Sequence, residues 1–150
     1  MTTEPQTDDP RDQRRADFPV IKTVQLRWAD IDTYGHINNA VHYELMDTAV
    51  NGWLGEATST DIRTGSAIGL VVETTCQYLR EINFPGPVQL GLRLARAGTS
   101  SVSYDVGFFI DNAGPAAMAR FVHVYVDPTT RRPTQIPPEV RAALTDLTVE

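Results

Sequence analysis

The chain has 150 residues, with 13 Lys and Arg against 19 Asp and Glu, a formal charge of -6 with His neutral. That length fits one ordinary domain, and 41% hydrophobic with 21% charged residues supplies a core and excludes wholesale disorder. The acidic balance argues against a nucleic-acid binder, no apolar run is long enough for a membrane helix, and a lone cysteine, Cys76, excludes an internal disulfide; a reducing cytoplasm fits best.

Residues 1–17 hold five acidic and three basic side chains, two prolines and no apolar block. This predicts a flexible, solvated tail, with residues 18–150 as a single domain. Val20, Val24, Leu26 and Trp28 share one parity, which predicts a first strand over about 20–28. The stretch from Ala29 to Ile37 is polar and turn-like, and Asn38 or Asn39 then offers an N-cap for a helix over about 39–55. Val41, Leu45, Met46, Ala49, Val50, Trp53 and Leu54 make its apolar stripe wide, as in a helix wrapped on much of its circumference.

After a Thr- and Ser-rich loop, four strand candidates follow. Leu70, Val72, Thr74, Cys76 and Tyr78 alternate with Val71, Glu73, Thr75, Gln77 and Leu79, in a run that reaches Ile82 before Pro85-Gly86-Pro87. Val88 to Leu94, Val102 to Ile110 and Ala116 to Val126 repeat the alternation between short turns, which predicts an antiparallel meander. Pro137-Pro138-Glu139 opens a short last helix through about Leu144. One buried helix needs a sheet to wrap it, so the order predicts an α+β domain: a curved five-stranded antiparallel sheet around one central helix.

The stretch Arg27-Trp28-Ala29-Asp30-Ile31-Asp32-Thr33-Tyr34-Gly35-His36-Ile37-Asn38-Asn39, with Tyr43 inside the helix, resembles the hotdog-fold acyl-CoA thioesterases of the 4-hydroxybenzoyl-CoA thioesterase-like family. That family carries an Asp-x-Asp pair after its first strand, a Gly-His-x-Asn-Asn run into its central helix and a Tyr just inside it. The resemblance implies hydrolysis of an acyl-CoA, or of an acyl chain on a carrier protein, with coenzyme A entering only as part of the substrate and no metal. It assigns Asp32 as base or nucleophile and the helix N-terminus as oxyanion site. In plant acyl-carrier thioesterases with this motif, the second Asp works with an Asn two residues on and a His four residues on. His36 matches; Tyr34 departs, which passes the water-positioning role to Asn38 or Asn39. Tyr34, Tyr43 and Glu73 are assigned to substrate binding. Arg131 and Arg132 are assigned to the phosphates, ahead of Arg93, Arg96 and Arg120. Sites in this family lie between paired subunits, so a homodimer or homotetramer is expected.

Several of these residues also have ordinary structural uses. Asp30 reads best as a turn carboxylate, Asn38 and Asn39 are helix caps first, and Cys76 sits mid-strand as a core residue. The spacing of Asp32, His36 and His42 matches no recognised metal frame. Two other functions fit the same fold: a non-catalytic acyl-CoA-binding protein, and an enoyl-CoA hydratase, whose Asp-x-Asn-Pro-x-His frame is absent here.

Overall fold

A computed structural model of the chain describes residues 9–149. Its first strand, β1 (Val20–Gln25), stops three residues short of the predicted end. The cause is local: the Asp30 carboxylate accepts the Arg27 N–H at 2.8 Å and closes a 3-10 turn over Trp28–Asp30. Trp28 therefore leaves the strand and packs its edge on Phe84, ring centroids 5.7 Å apart.

The central helix α1 (Val41–Thr58) begins later and runs further than expected. Ser59, in the left-handed region at φ +54°, ends it by donating its N–H to the Gly55 carbonyl. Eight side chains along it are buried, from Val41 and His42 to Trp53 and Leu54, which is the wide stripe read from the sequence.

The sheet consists of β1, β2 (Ile68–Tyr78), β3 (Pro87–Ala97), β4 (Ser101–Phe109) and β5 (Ala117–Val126), all antiparallel in the spatial order β1-β3-β4-β5-β2. The predicted meander holds for β3, β4 and β5. It fails for β2, which pairs with β5, so the chain crosses from one edge of the sheet towards the other between β2 and β3. Burial drives the crossing: Ile82 is sequestered in the core, and its carbonyl accepts the Ile37 N–H at 2.8 Å. That docks the connection across the entrance of α1 instead of folding it back as a hairpin.

A bulge in β2 corrects the predicted alternation. Val71 lies opposite His123 and Glu73 opposite Val122, leaving Val72 as the extra residue. Residues directly opposite share a face, and Phe121, His123 and Tyr125 are buried against the helix side. Gly69 and Val71 therefore face α1 before the bulge, and Thr74, Cys76 and Tyr78 after it. Leu70, Glu73, Thr75 and Gln77 face outward.

Of the expected tail, residues 1–8 lie outside the described residues, while residues 9–17 rest on the outer face of the sheet. Arg93 donates to Gln13 at 3.1 Å, Arg15 reaches Gln89 and Asn112, and Phe18 is buried edge-on against Phe109. Phe18 occupies the space over Gly91 and Gly107, where an added Cβ would come within 3.0 Å of its ring. Arg93, a candidate for the phosphate rim, is instead buried beneath Phe18 and bonded to Asp105. A short helix, α2 (Pro138–Ala143), and the turn Leu144–Leu147 close the core through Val140, Leu144 and Leu147.

Candidate active site

The loop between β1 and α1 folds as a small hairpin. Ile31 and Ile37 pair, the Asp32 N–H donates to the His36 carbonyl at 2.7 Å, and the Gly35 N–H returns to the Asp32 carbonyl at 3.2 Å. Gly35 sits at φ +86°, a conformation that a side chain would strain. Inside this turn, Oδ1 of Asp32 accepts the N–H groups of Tyr34 at 2.8 Å and His36 at 3.2 Å. Its Oδ2 accepts no hydrogen bond among the described residues. The carboxylate is thus fixed by one oxygen and free at the other.

Asp30 differs at every point. It is 3% exposed, and both oxygens are taken by Arg27, through the backbone N–H and the guanidinium, each at 2.8 Å. The Arg27 guanidinium holds this carboxyl below the usual carboxylate range. It closes the turn, as read from the sequence.

The His36 ring is held by the crossover connection, with Nδ1 2.9 Å from Asn83 Oδ1 and Nε2 3.2 Å from Glu81 Oε1. Its imidazole makes no hydrogen bond to the Asp32 carboxylate; the two residues are coupled through backbone. Asn38 accepts the Ala40 N–H on its side chain and the Val41 N–H on its carbonyl, both at 2.9 Å. It ties down the helix entrance, although Ala40 itself occupies the cap position without a side-chain bond. Asn39 turns its carbonyl to the Tyr78 hydroxyl at 3.1 Å and to His42 Nδ1 at 3.2 Å. The Asn39 N–H donates to nothing among the described residues.

Asp32, His36, Asn39, His42, Tyr78 and Glu81 line a cleft of about 280 Å³ at the start of α1. Burial keeps His42 on the neutral side of its ordinary range, and its ring meets Tyr78 edge to face at 4.7 Å. The Tyr78 phenol is pushed up to about 12 by burial and by the Tyr43 hydroxyl beside it. Tyr78, Glu81 and Asn83 carried no sequence signal as site residues. Tyr78 is brought by the end of β2, and Glu81 and Asn83 by the β2–β3 crossover, which no local pattern announces.

Of the other assigned residues only Tyr43, beside Tyr78, is near the cleft. Tyr34 projects from the loop tip into solvent and Tyr43 is half-buried in α1. Glu73 is on the outer face of β2, away from the cleft. Arg131 and Arg132 follow the far end of β5, whereas the cleft lies by Tyr78, which pairs with Ala117 at its beginning. Burial pushes the Cys76 thiol up to about 11, which keeps it protonated and unfit as a nucleophile. Among the described residues, no three His, Cys, Asp or Glu side chains are placed to hold a metal ion.

The PA5185 protein of Pseudomonas aeruginosa is 41% identical to this chain, over 91% of this chain and 96% of its own, with a TM-score of 0.87. A Thermus thermophilus thioesterase, solved with coenzyme A and Zn, is 30% identical over 87% of this chain and 95% of its own, at TM-score 0.74. A 1,4-dihydroxy-2-naphthoyl-CoA thioesterase from Synechocystis shares the fold at 17% identity, TM-score 0.77, over 85% of this chain and 96% of its own. No curated protein matches the sequence. The Thioesterase-like superfamily matches residues 26–144, a span that contains α1, β2 to β5 and every residue of the cleft. With its five-stranded sheet wrapped on one helix, the chain belongs to the thioesterase-like superfamily and has the hotdog fold.

Proposed function

We propose that the protein hydrolyses acyl-CoA, or acyl chains on a carrier protein, to free acid and thiol, with Asp32 as the working carboxylate. The observation that carries this reading is the asymmetry of Asp32, a residue of the cleft: Oδ1 is locked by two backbone N–H groups while Oδ2 has no hydrogen-bond partner among the described residues. A carboxylate held this way can attack the thioester carbonyl or take a proton from water that does so. The C–S bond then breaks and the thiolate leaves with a proton; where Asp32 itself attacked, a water then cleaves the acyl–Asp32 anhydride to release the acid and restore the carboxylate. The negative charge on the carbonyl oxygen needs donors that are already in place, and the free Asn39 N–H at the positive end of α1 suits that role. His36 and Asn38 position the loop and helix entrance. Tyr34 and Tyr43 flank the approach.

The proposal includes a dimer. Sheet edge β2 exposes Val71, Val72 and Tyr78, and a second β2 paired antiparallel across a two-fold axis would cover it. That pairing sets the Ile68 end of one β2 beside the Tyr78 end of the other. It carries the partner's Arg131 and Arg132 towards the cleft, where guanidinium groups suit coenzyme A phosphates. The coenzyme A bound to the Thermus protein supports this substrate class, and the single free cysteine suits a cytoplasmic setting.

Release of free thiol from a panel of acyl-CoAs, followed with a thiol-reactive dye, tests the reading. Release is expected from at least one acyl-CoA and lost in Asp32→Asn. Binding without release would make the protein an acyl-CoA binder, and loss of enoyl absorbance without thiol would make it a hydratase; either refutes the proposal.

A further inference from the structure

A second cavity, of about 520 Å³, lies at the opposite end of β2 from the cleft. It is lined by the end of α1, the 60–65 loop, the start of β2, the end of β5 and α2, and opens to solvent. Its size is that of a small-ligand pocket. Leu54, Ile62, Ile68 and Val140 give it apolar walls.

Its polar lining includes Asn51, Asp61, Arg63, Glu139 and His123, and of these only His123 is buried. It is 2% exposed, and its Nδ1 is buried without a hydrogen-bond partner. Buried polar groups are ordinarily paired, so an orphaned imidazole nitrogen beside a cavity needs a reason. Its ring neighbours are aromatic, with centroids of Phe121, Tyr104 and Tyr125 at 4.8, 5.9 and 6.2 Å. Gly69, another lining residue, stands over the ring: a Cβ there would lie 3.4 Å from His123 Cγ and Nδ1, in van der Waals contact. Burial holds the imidazole at about 4, so at neutral pH it is uncharged, with one donor and one acceptor nitrogen.

We infer that this cavity receives the acyl group, and that His123 selects chains bearing a hydroxyl or keto oxygen over plain hydrocarbon. The inference rests on the thioesterase reading above and deepens it. Antiparallel pairing of two β2 edges sets the cavity of one protomer beside the cleft of its partner. The thioester then lies at Asp32 with its acyl group reaching into the neighbouring subunit. A neutral imidazole meets either oxygen function, whereas a hydrocarbon chain leaves its nitrogen unpaired.

The test compares kcat/KM for decanoyl-CoA with hydroxy- and keto-decanoyl-CoAs substituted along the chain. At least one oxygenated substrate is expected to exceed its parent by about tenfold or more. His123→Phe, which keeps the aromatic packing, should erase that advantage. Gly69→Ala sets a methyl group against the His123 ring while leaving the imidazole in place, and should reduce it, which keeps the test open if the first variant misfolds. An equal preference in the native protein, or a preference that survives both substitutions, overturns the inference. Calorimetric titration with free decanoic and hydroxydecanoic acids separates it from the thioesterase reading. If no acyl-CoA releases thiol, that reading fails, while tighter binding of a hydroxy acid that is lost in His123→Phe still supports the pocket. Equal binding of the two acids, or none, sinks it.

Discussion

Replacing Asp32 by Asn probes chemistry and scaffold separately, because the two oxygens of this carboxylate have different occupations. Oδ1 accepts the Tyr34 and His36 N–H groups, and an amide oxygen can keep both bonds. Oδ2 has no partner among the described residues, so an amide nitrogen there breaks nothing. The stability change should stay below about 1 kcal/mol, or roughly 2–4 °C in melting temperature for a chain of this size. Turnover should fall by about 10² to 10⁴. Asp30→Asn is the contrast. Both of its oxygens accept from Arg27, so an amide nitrogen must face a donor, and loss of a buried charge-assisted bond costs about 1.5–3 kcal/mol. The exposed guanidinium contributes the smaller share. That predicts a melting temperature lower by roughly 4–8 °C with modest change in turnover. The Asp30 carboxyl is depressed by Arg27, so its contribution is present above about pH 4 and lost as the pH falls through its lowered value. The two melting curves should therefore converge in acid. Thiol release and thermal melts by circular dichroism read both proteins. Wild-type turnover in Asp32→Asn would refute the reasoning outright, and so would a larger turnover loss in Asp30→Asn at unchanged melting temperature.

Val72→Lys places a charge on the most exposed apolar residue of the β2 edge, 58% accessible, and should convert a dimer to monomer in light scattering with loss of turnover. A mass and activity like those of the parent would count against the shared site. Burial holds His123 at about 4 and lowers His42, so the unfolded chain takes up protons first as the pH drops. Stability is therefore full above about pH 6.5 and falls towards pH 4, by roughly 3 kcal/mol for His123 alone; urea midpoints in His123→Phe should show a flatter profile. Gly91→Ala drives a methyl group to 2.6 Å from the Phe18 ring, so it should cost about 1–3 kcal/mol and loosen the N-terminal segment to proteolysis. An unchanged melt would mean that Phe18 does not rest there.

The local elements were legible because their signals are local. The stripe of α1 repeats at helical spacing, β3, β4 and β5 alternate between short turns, and Asp32 and Gly35 sit in one tight loop in which the hydrogen bonds of Asp32 span at most four residues. What escaped depends on partners far along the chain. Nothing between Leu79 and Gly86 marks a crossover; it follows from burying Ile82 and from the bond between Ile37 and Ile82. The polar composition of residues 9–17 reads as solvated, yet Gln13 and Arg15 find Arg93 and Gln89 some seventy to eighty residues away. Arg93 looked like a surface cation because Asp105, Phe18 and Gln13 meet it only in the folded sheet.

The bulge at Val72 joins these levels. In an unbroken β2, residues 69, 71, 73, 75 and 77 would share one face, so Gly69 and Tyr78 would lie on opposite sides of the sheet. The extra residue resets the parity, and both now face α1: Gly69 over His123 at one end, Tyr78 against His42 at the other. One edge strand can then line a cavity and a cleft with the same face. The sequence could not show this, since Val72 is as good a strand former as its neighbours and the bulge exists only in the pairing with β5. Deleting Val72 should restore plain alternation and turn one end of the strand outward. The expected result is a folded sheet by circular dichroism, with turnover abolished, while Val72→Ala keeps the bulge and most of the activity. A deletion variant that releases thiol at the wild-type rate would show that the site does not depend on having both ends of β2 face the helix.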